Sequence, residues 1–228
     1  AAWLSVICAS IVGALVYFKV NFKLLSFVAI LSIGMIYAQW DKIQMVLAKN
    51  THEHTTEAFD EKIQSAANVT TDASNLERIN RWDCAYQMFK KKPLIGFGPG
   101  TYAFEYAAFQ DPENLTIIST NFGDMGNAHS EYLSALSESG LIGMLLFMSV
   151  VAAIFYSTIR LYHRYEKNND VKILIMGIIV SLASYFIHAF LNNYLDTDKA
   201  AIPIWAMCAM VVSMTISLSA SGQSKGMD

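Results

Sequence analysis

The sequence has few charged residues, and they are unevenly placed. Asp, Glu, Lys and Arg make up 15% of the 228 residues, whereas soluble domains carry about 25%. The net charge of -3 comes without a basic stripe, which argues against a nucleic-acid partner. Instead, apolar runs alternate with polar blocks. This is the pattern of membrane spans joined by loops.

Cysteines and metal-ligand clusters are also scarce. Cys8, Cys84 and Cys208 are far apart and two of them lie in apolar runs, so we expect no intramolecular disulfide. Carboxylates are not grouped at ligand spacing, so the sequence does not call for a metal. It begins inside an apolar run without an initiating Met or a basic leader. We therefore expect it to be the C-terminal part of a larger membrane protein.

Five apolar segments are each close to the roughly 20 residues that a helix needs to cross a bilayer. They are residues 1–18, 22–39, 141–160, 172–195 and 200–219. Basic residues follow the first, third and fifth segments, which places those links in the cytoplasm by the positive-inside rule. The long segment of about 41–130 then lies outside, in the periplasm of a bacterium.

These segments predict an all-α membrane protein with about five transmembrane helices. Residues 1–40 would form two of them, and residues 141–228 would form three and a short cytoplasmic tail. Residues 41–140 would form one long, partly helical periplasmic loop that carries the catalytic motifs.

A helix and a glycine-rich segment are predicted within the loop. Ser74 and Glu77 form a capping box, so a helix is expected from about residue 75 until Pro93 stops it. The segment 92–102 has no closing Gly-Lys-Ser/Thr and no preceding strand, so it is neither a P-loop nor a dinucleotide fingerprint. Its glycines instead predict a tight backbone path as the chain leaves the helix.

Arg78, Arg81 and Trp82 are three or four positions apart and therefore lie close together on this helix. The two guanidinium groups match phosphate geometry and would suit a phosphorylated substrate. The alternative is a pair of solvated arginines or arginines that touch lipid phosphates. Trp82 between them is suited to the membrane interface.

His129 is the second candidate for chemistry. From His129 to Arg160 there are about 32 residues, too many for one straight crossing at about 1.5 Å per residue. We therefore predict a short surface helix over about 129–138, broken at Gly140 before the span. A neutral imidazole at the start of that helix can act as a general base. A capping or interfacial histidine is the alternative.

A polar stripe is predicted at the outer end of the fourth span. His188, Asn192 and Asp196 are spaced i, i+4, i+8 and would share one helix face. Polar groups in a span are costly and often functional, although hydrogen bonding between helices is the alternative. The spans otherwise hold almost no ionisable groups, which favours chemistry at the membrane surface over passage through it.

Together these elements resemble the O-antigen ligase/polymerase superfamily, specifically its Wzy-type C-terminal domain. The resemblance covers about residues 74–200 and rests on three stretches. They are Glu77-Arg78-Ile-Asn-Arg81-Trp82 with Pro93-Leu-Ile-Gly96-Phe-Gly98-Pro-Gly100-Thr101-Tyr102, then His129-Ser130 followed by nine residues and Gly140, and the polar end of the fourth span from His188 to Asp198.

The resemblance implies a bundle similar to C-type glycosyltransferases in the bacterial inner membrane, with no nucleotide or other cofactor. Such enzymes take a glycan from a polyprenyl pyrophosphate and transfer it to a hydroxyl of lipid A-core, of a glycan or of a protein. By the resemblance, Arg78 and Arg81 would bind the pyrophosphate and His129 would receive the proton. Substrate binding would involve Trp82, Ser130, His188, Asn192, Asp196 and Asp198.

One departure leaves alternatives open. The ligase form of the histidine signature continues Gly-x-x-Thr, whereas this chain has Gly143 in place of the Thr. A polysaccharide polymerase of the same superfamily, or a protein O-glycosylating ligase, fits this sequence as well. From other classes, a lipid-linked-sugar transporter predicts a polar cavity at the bilayer midplane. A non-enzymatic scaffold predicts that Arg78 and His129 are far apart.

Overall fold

A computed structural model of the chain describes residues 2–20, 73–112, 115, 119, 126–165 and 168–224. Over these residues the chain is all-helical and contains no strand, as the sequence predicts. The helices are α1 (Ala2–Tyr17), α2 (Ala73–Lys91), α3 (Tyr102–Glu105), a 3-10 helix (Tyr106–Phe109), α4 (Glu131–Arg164), α5 (Asn169–His188) and α6 (Asp198–Ser224).

Three of these helices, α4, α5 and α6, are long and apolar enough to cross a membrane. Only 11% of the most apolar window of α4 is buried inside the protein, so its apolar surface is available to lipid or to further helices. The first predicted span forms the shorter apolar helix α1 of 16 residues. The second, 22–39, lies outside the described residues.

The described helices pack into one bundle. α5 packs against α1 and α4, and α6 packs against α4. Leu182 and Phe186 of α5 meet Val151 of α4 and Val211 of α6 in a buried apolar cluster. A Cβ on Gly13 of α1 would lie 2.8 Å from Val180 Cγ2 of α5. A close helix approach at a glycine is typical of helix pairs in membranes.

The kink predicted at Gly140 is present in α4. Gly140 has φ 64° and ψ -165°, a conformation that is essentially restricted to glycine. The kink separates a nine-residue helical segment, 131–139, from the apolar span that follows. The helix begins at Glu131, two residues later than predicted, because Ser130 is the N-cap and its hydroxyl accepts from Leu133 N.

The glycine-rich segment docks on this kink. The amides of Leu141 and Ile142 donate to the carbonyls of Pro93 and Leu94, and the amides of Phe97 and Gly98 donate to the carbonyls of Ser137 and Glu138. These four bonds satisfy backbone groups that the kink would leave unpaired. The segment from 93 to 98 and the break at Gly140 are thus one structural unit.

The glycines of this unit are required by close contact. A Cβ on Gly140 would lie 2.4 Å from the carbonyl carbon of Leu94, and a Cβ on Gly96 would lie 2.3 Å from that of Glu138. Gly96 also has a positive φ of 65°, which confirms the predicted tight path out of α2.

The predicted end of the fourth span is wrong. Residues 172–195 were expected to be helical, but α5 ends at His188 and residues 189–197 form turns and irregular backbone. The reason is a tertiary contact with the start of α4. The amide of Glu131 donates to the Ala189 carbonyl (3.0 Å), and the Glu131 carboxylate accepts from the amide of Leu195 (2.8 Å).

Candidate active site

The candidate site lies where α2 packs against residues 126–130. An aromatic cluster supports it: Tyr102 and Tyr106 stack with ring centroids 5.4 Å apart, beneath the buried Cys84 and Met88 of α2. The Tyr102 hydroxyl donates to the carbonyl of Arg81 (2.7 Å). α3 and the 3-10 helix that follows it therefore pack against α2.

Arg81 is buried, with 7% of its surface exposed. Its Nε donates to Glu77 Oε1 at 2.7 Å, and its guanidinium lies 4.3 Å from the centre of the Tyr106 ring. Its Nη1 nitrogen is buried without a hydrogen-bond partner among the described residues. A Cβ on Gly126 would lie 1.7 Å from that atom, so only glycine admits the guanidinium there.

Arg78 is half-buried, one turn away on the same helix. Arg78 and Arg81 are both close enough to His129 to disfavour its protonation, and the effect of Arg78 is the larger. Arg78 is also within electrostatic range of His188 at the end of α5. The structure thus places both arginines within electrostatic range of His129.

His129 is held in an unusual backbone conformation. It is one of two non-glycine residues with positive φ (48°) among those described. Its amide donates to Asn127 Oδ1 (3.1 Å), and its carbonyl accepts from the indole Nε1 of Trp82 (3.4 Å). Such strain persists where surrounding contacts impose it, and it is frequent at functional sites. Trp82 therefore ties the arginine helix to the histidine turn.

The pKa of the His129 imidazole is lowered from its usual value near 6.5. Burial is the largest cause, followed by the positive charges of Arg78 and Arg81, while Glu77 partly opposes them. Burial and a neighbouring cation both penalise the imidazolium. The imidazole is therefore neutral at pH 7. The sequence analysis attributed a neutral imidazole to a helix start, whereas burial and the two arginines cause it here.

Ser130 and Glu131, next to His129, have structural contacts. Ser130 is 2% exposed and caps α4, so a direct contact with substrate stays a prediction. Glu131 Oε1 accepts from the Tyr185 hydroxyl (2.7 Å) and from the Leu195 amide (2.8 Å). This buried carboxylate was missed by sequence reasoning. An acidic residue in the first turn of a helix resembles ordinary dipole compensation, and its partners lie far along the chain.

The predicted stripe of His188, Asn192 and Asp196 does not exist as a helix face, because α5 ends at His188. The first two side chains still meet: a hydrogen bond joins Asn192 Nδ2 and His188 Nε2 (3.0 Å). The His188 ring stacks on Tyr194, with centroids 5.7 Å apart.

The acidic end of this segment is exposed. Asp196 accepts from Nδ2 of the buried Asn193 (3.0 Å). Asp198 is exposed in the first turn of α6. These polar groups collect at the same end of the bundle as His129, because Glu131 ties the 189–197 turns to the start of α4. Within the described part of the chain, no three His, Cys, Asp or Glu side chains are grouped to hold a metal.

Comparison with known proteins identifies a family. The family model described as O-Antigen ligase (Wzy_C) matches residues 1–148. The match includes α2, the glycine-rich segment, His129 and the kink at Gly140, and it ends before the His188 to Asp198 segment. Neither a curated protein nor a solved structure matches this chain.

Proposed function

Because this chain belongs to the O-antigen ligase family, we propose that it transfers a glycan from a polyprenyl pyrophosphate to an acceptor hydroxyl. The reaction would take place at the periplasmic face of the bacterial inner membrane, on the side where α2 and the kink of α4 lie. The acceptor would be a lipid A-core hydroxyl or a similar group. No nucleotide or metal enters the proposed reaction.

The observation that carries this proposal is a neutral histidine beside two arginines. An arginine pair suits a pyrophosphate, and a histidine that stays neutral at pH 7 suits the removal of a proton from a hydroxyl. The cations that recognise the leaving group also lower the pKa of His129. The same arrangement therefore serves both halves of a glycosyl transfer.

In the proposed reaction the acceptor oxygen attacks the anomeric carbon of the donor sugar. The bond from that carbon to the pyrophosphate oxygen breaks, and its electron pair leaves with the polyprenyl pyrophosphate. The proton of the acceptor hydroxyl passes to the imidazole of His129. The guanidinium groups stabilise the negative charge that develops on the pyrophosphate.

Of the two arginines, we propose Arg78 as the main contact with the pyrophosphate. Arg81 is 7% exposed, and its Nε is engaged by the carboxylate of Glu77. Arg78 is half-buried and is the stronger electrostatic neighbour of His129. Arg81 would add positive charge and hold the helix in place, and its buried Nη1 would be a donor toward a ligand.

The remaining predicted residues divide into two groups in this proposal. Trp82 and Ser130 hold the turn that carries His129, through the indole hydrogen bond and the helix cap. His188, Asn192, Asp196 and Asp198 would face the acceptor, since amides and carboxylates are suited to sugar hydroxyls. Arg78 lies within electrostatic range of His188, which supports placing that group beside the donor site.

A polysaccharide polymerase is the second candidate, and Gly143 favours it. A Cβ at position 143 would lie 2.1 Å from Ser139 Cβ, so the threonine of the ligase signature does not fit unless Ser139 moves. The chemistry at His129 and Arg78 would be the same. The acceptor would then be a growing glycan, and the product would be a ladder of chain lengths.

Transfer by the purified chain reconstituted in vesicles tests both candidates. The donor is an oligosaccharide on polyprenyl pyrophosphate, offered with a lipid A-core acceptor or with no acceptor except itself. We expect His129→Ala to slow transfer by about 100- to 10,000-fold and Arg78→Ala by about 100- to 1,000-fold. Arg160→Gln, at an exposed position near the far end of α4, is the matched control and should be unchanged.

Each outcome separates the candidates. One product on lipid A-core supports the ligase, and a ladder without lipid A-core supports the polymerase. If both site variants transfer as fast as Arg160→Gln, the mechanism is wrong. Movement of intact donor across the vesicle membrane without transfer would instead support a transporter.

A further inference from the structure

We propose that the turn between α2 and the glycine-rich segment docks on anionic phospholipid headgroups at the membrane surface. The docking surface consists of Lys90, Lys91 and Lys92 together with the apolar residues Leu94 and Ile95. It lies at the opposite end of α2 from Arg78. The occupant we assign to it is the bilayer itself, at the face where α4 enters.

Backbone hydrogen bonds hold this surface beside the start of the α4 span. The amide of Leu141 donates to the carbonyl of Pro93 (2.8 Å), and that of Ile142 donates to the carbonyl of Leu94 (3.3 Å). Leu141 and Ile142 are the first residues of the span after the kink. The segment that follows Lys92 is therefore level with the point where α4 enters the hydrocarbon.

The segment exposes large apolar side chains at this level. Leu94 is 62% exposed and Ile95 is 74% exposed. Leu141 and Ile142 of the span are 44% and 53% exposed. The four side chains continue the lipid-facing surface of α4 outward. Such an exposed patch would be a liability in water, and insertion at the bilayer boundary removes it from water.

The lysines supply the charge that matches an anionic surface. All three are exposed. Each ammonium lies over an aromatic ring, and the distances from Nζ to the ring centre are 4.4 Å for Lys90 and Tyr86, 5.2 Å for Lys91 and Phe109, and 4.2 Å for Lys92 and Phe97. Among the residues that the structure describes, no carboxylate forms an ion pair with any of these three ammonium groups. Three positive charges beside an apolar rim fit phosphate headgroups.

Distance separates this surface from the proposed donor site. Arg78 and Lys91 are 13 residues apart on α2, which is about 20 Å at 1.5 Å per residue. One pyrophosphate cannot bridge them. The lysines are therefore assigned to bulk phospholipid. Their role is to fix the depth and tilt of α2 relative to the membrane, so that Arg78 meets a substrate at the level of the lipid headgroups.

Site-specific quenching in vesicles tests this proposal without any transfer assay. Ile95→Cys carries an environment-sensitive fluorophore in a chain in which Cys8 and Cys208 are replaced by alanine. Cys84 is retained, because it is fully buried and burial raises the pKa of its thiol to about 12, so it does not react. Vesicles contain equal amounts of phosphatidylcholine and phosphatidylglycerol, with bromine on the acyl chains of one or the other.

We expect both brominated lipids to quench the fluorophore at position 95, and phosphatidylglycerol to quench more strongly. Each lysine near an anionic surface favours it by up to about fivefold. Lys90→Gln/Lys91→Gln/Lys92→Gln should equalise the two lipids while quenching persists, since Leu94 still inserts. The matched control Arg160→Gln/Arg164→Gln, at the far end of α4, should retain the preference. A fluorophore at Asn169→Cys, exposed at the start of α5, should not be quenched.

Three results would overturn the proposal. The absence of quenching at position 95 would mean that the segment does not reach the bilayer. Equal quenching by both lipids in the unsubstituted lysine background would remove the headgroup assignment. Loss of the phosphatidylglycerol preference on adding trace polyprenyl pyrophosphate would assign the lysines to the donor instead.

Discussion

Replacing Gly140 by alanine tests whether the kink of α4 depends on the segment that docks against it. Gly140 has φ 64° and ψ -165°, and an added Cβ would lie 2.4 Å from the Leu94 carbonyl carbon. A non-glycine residue in such a conformation costs about 1–3 kcal/mol. The collision also displaces the segment, and each backbone hydrogen bond lost costs about 0.5–1.5 kcal/mol.

We therefore expect Gly140→Ala to lower the free energy of unfolding by at least about 2 kcal/mol. The matched control is Gly177→Ala in α5, where an added Cβ would meet nothing within 4 Å. Because alanine is favoured over glycine inside a helix, Gly177→Ala should raise the free energy of unfolding by about 0.5–1 kcal/mol. The measurement is thermal and denaturant unfolding of both variants in the same detergent.

An intermediate case separates strain from collision. Gly100 has φ 74°, but an added Cβ there would meet nothing within 4 Å. Gly100→Ala should therefore lower the free energy of unfolding by about 1–2 kcal/mol, through the unfavourable backbone conformation alone. If Gly140→Ala is no less stable than Gly177→Ala, the docked kink does not hold α4, and the account of the glycine-rich segment fails.

Four further predictions concern the site. The pKa of His129 is lowered, so the acid limb of kcat/KM should lie below pH 6.5, and Arg78→Gln, which removes a cation, should move it to higher pH. The free energy of unfolding of the wild type should fall relative to that of His129→Gln as the pH drops below about 6.5, because the imidazole binds a proton more tightly in the unfolded chain. A constant difference between the two from about pH 5 to 8 would contradict the burial of His129. Glu131→Ala should lower the free energy of unfolding in denaturant by about 2 kcal/mol, because it leaves part-buried donors such as the Tyr185 hydroxyl without an acceptor, and Glu131→Gln should recover much of the loss. Equal losses in the two variants would show that the carboxyl oxygen is not the anchor. Trp82→Phe should lower kcat with KM little changed, since it removes only the hydrogen bond to the His129 carbonyl, and a rise in KM alone would indicate substrate contact instead.

Local patterns in the sequence predicted the elements of this protein well. Apolar runs of span length predicted α4, α5 and α6, because a helix needs about 20 apolar residues to cross a bilayer. Pro93 predicted the end of α2 within two residues, and Gly140 predicted the kink of α4. Each of these signals depends on a residue and its near neighbours, so it can be read from the sequence alone.

The candidate site was predicted only in part. Arg78, Arg81 and His129 were predicted from residue type and motif order, and the fold brings them together. Their individual environments were not predictable. Glu77 was assigned to a helix cap by its position, and nothing in the sequence indicated that its carboxylate accepts from Arg81 Nε. Equal spacing on a helix could not show that Arg81 is buried whereas Arg78 is half-buried.

By itself, then, the sequence determined the all-helical class, the apolar spans and the residues available for chemistry. The tertiary structure decided where α5 ends and what holds His129 in place. Leu195 is 64 residues from the Glu131 carboxylate that binds its amide, and Trp82 is 47 residues from the His129 carbonyl. Such contacts leave no periodic trace, because their energy depends on which distant segments the fold brings within hydrogen-bond distance.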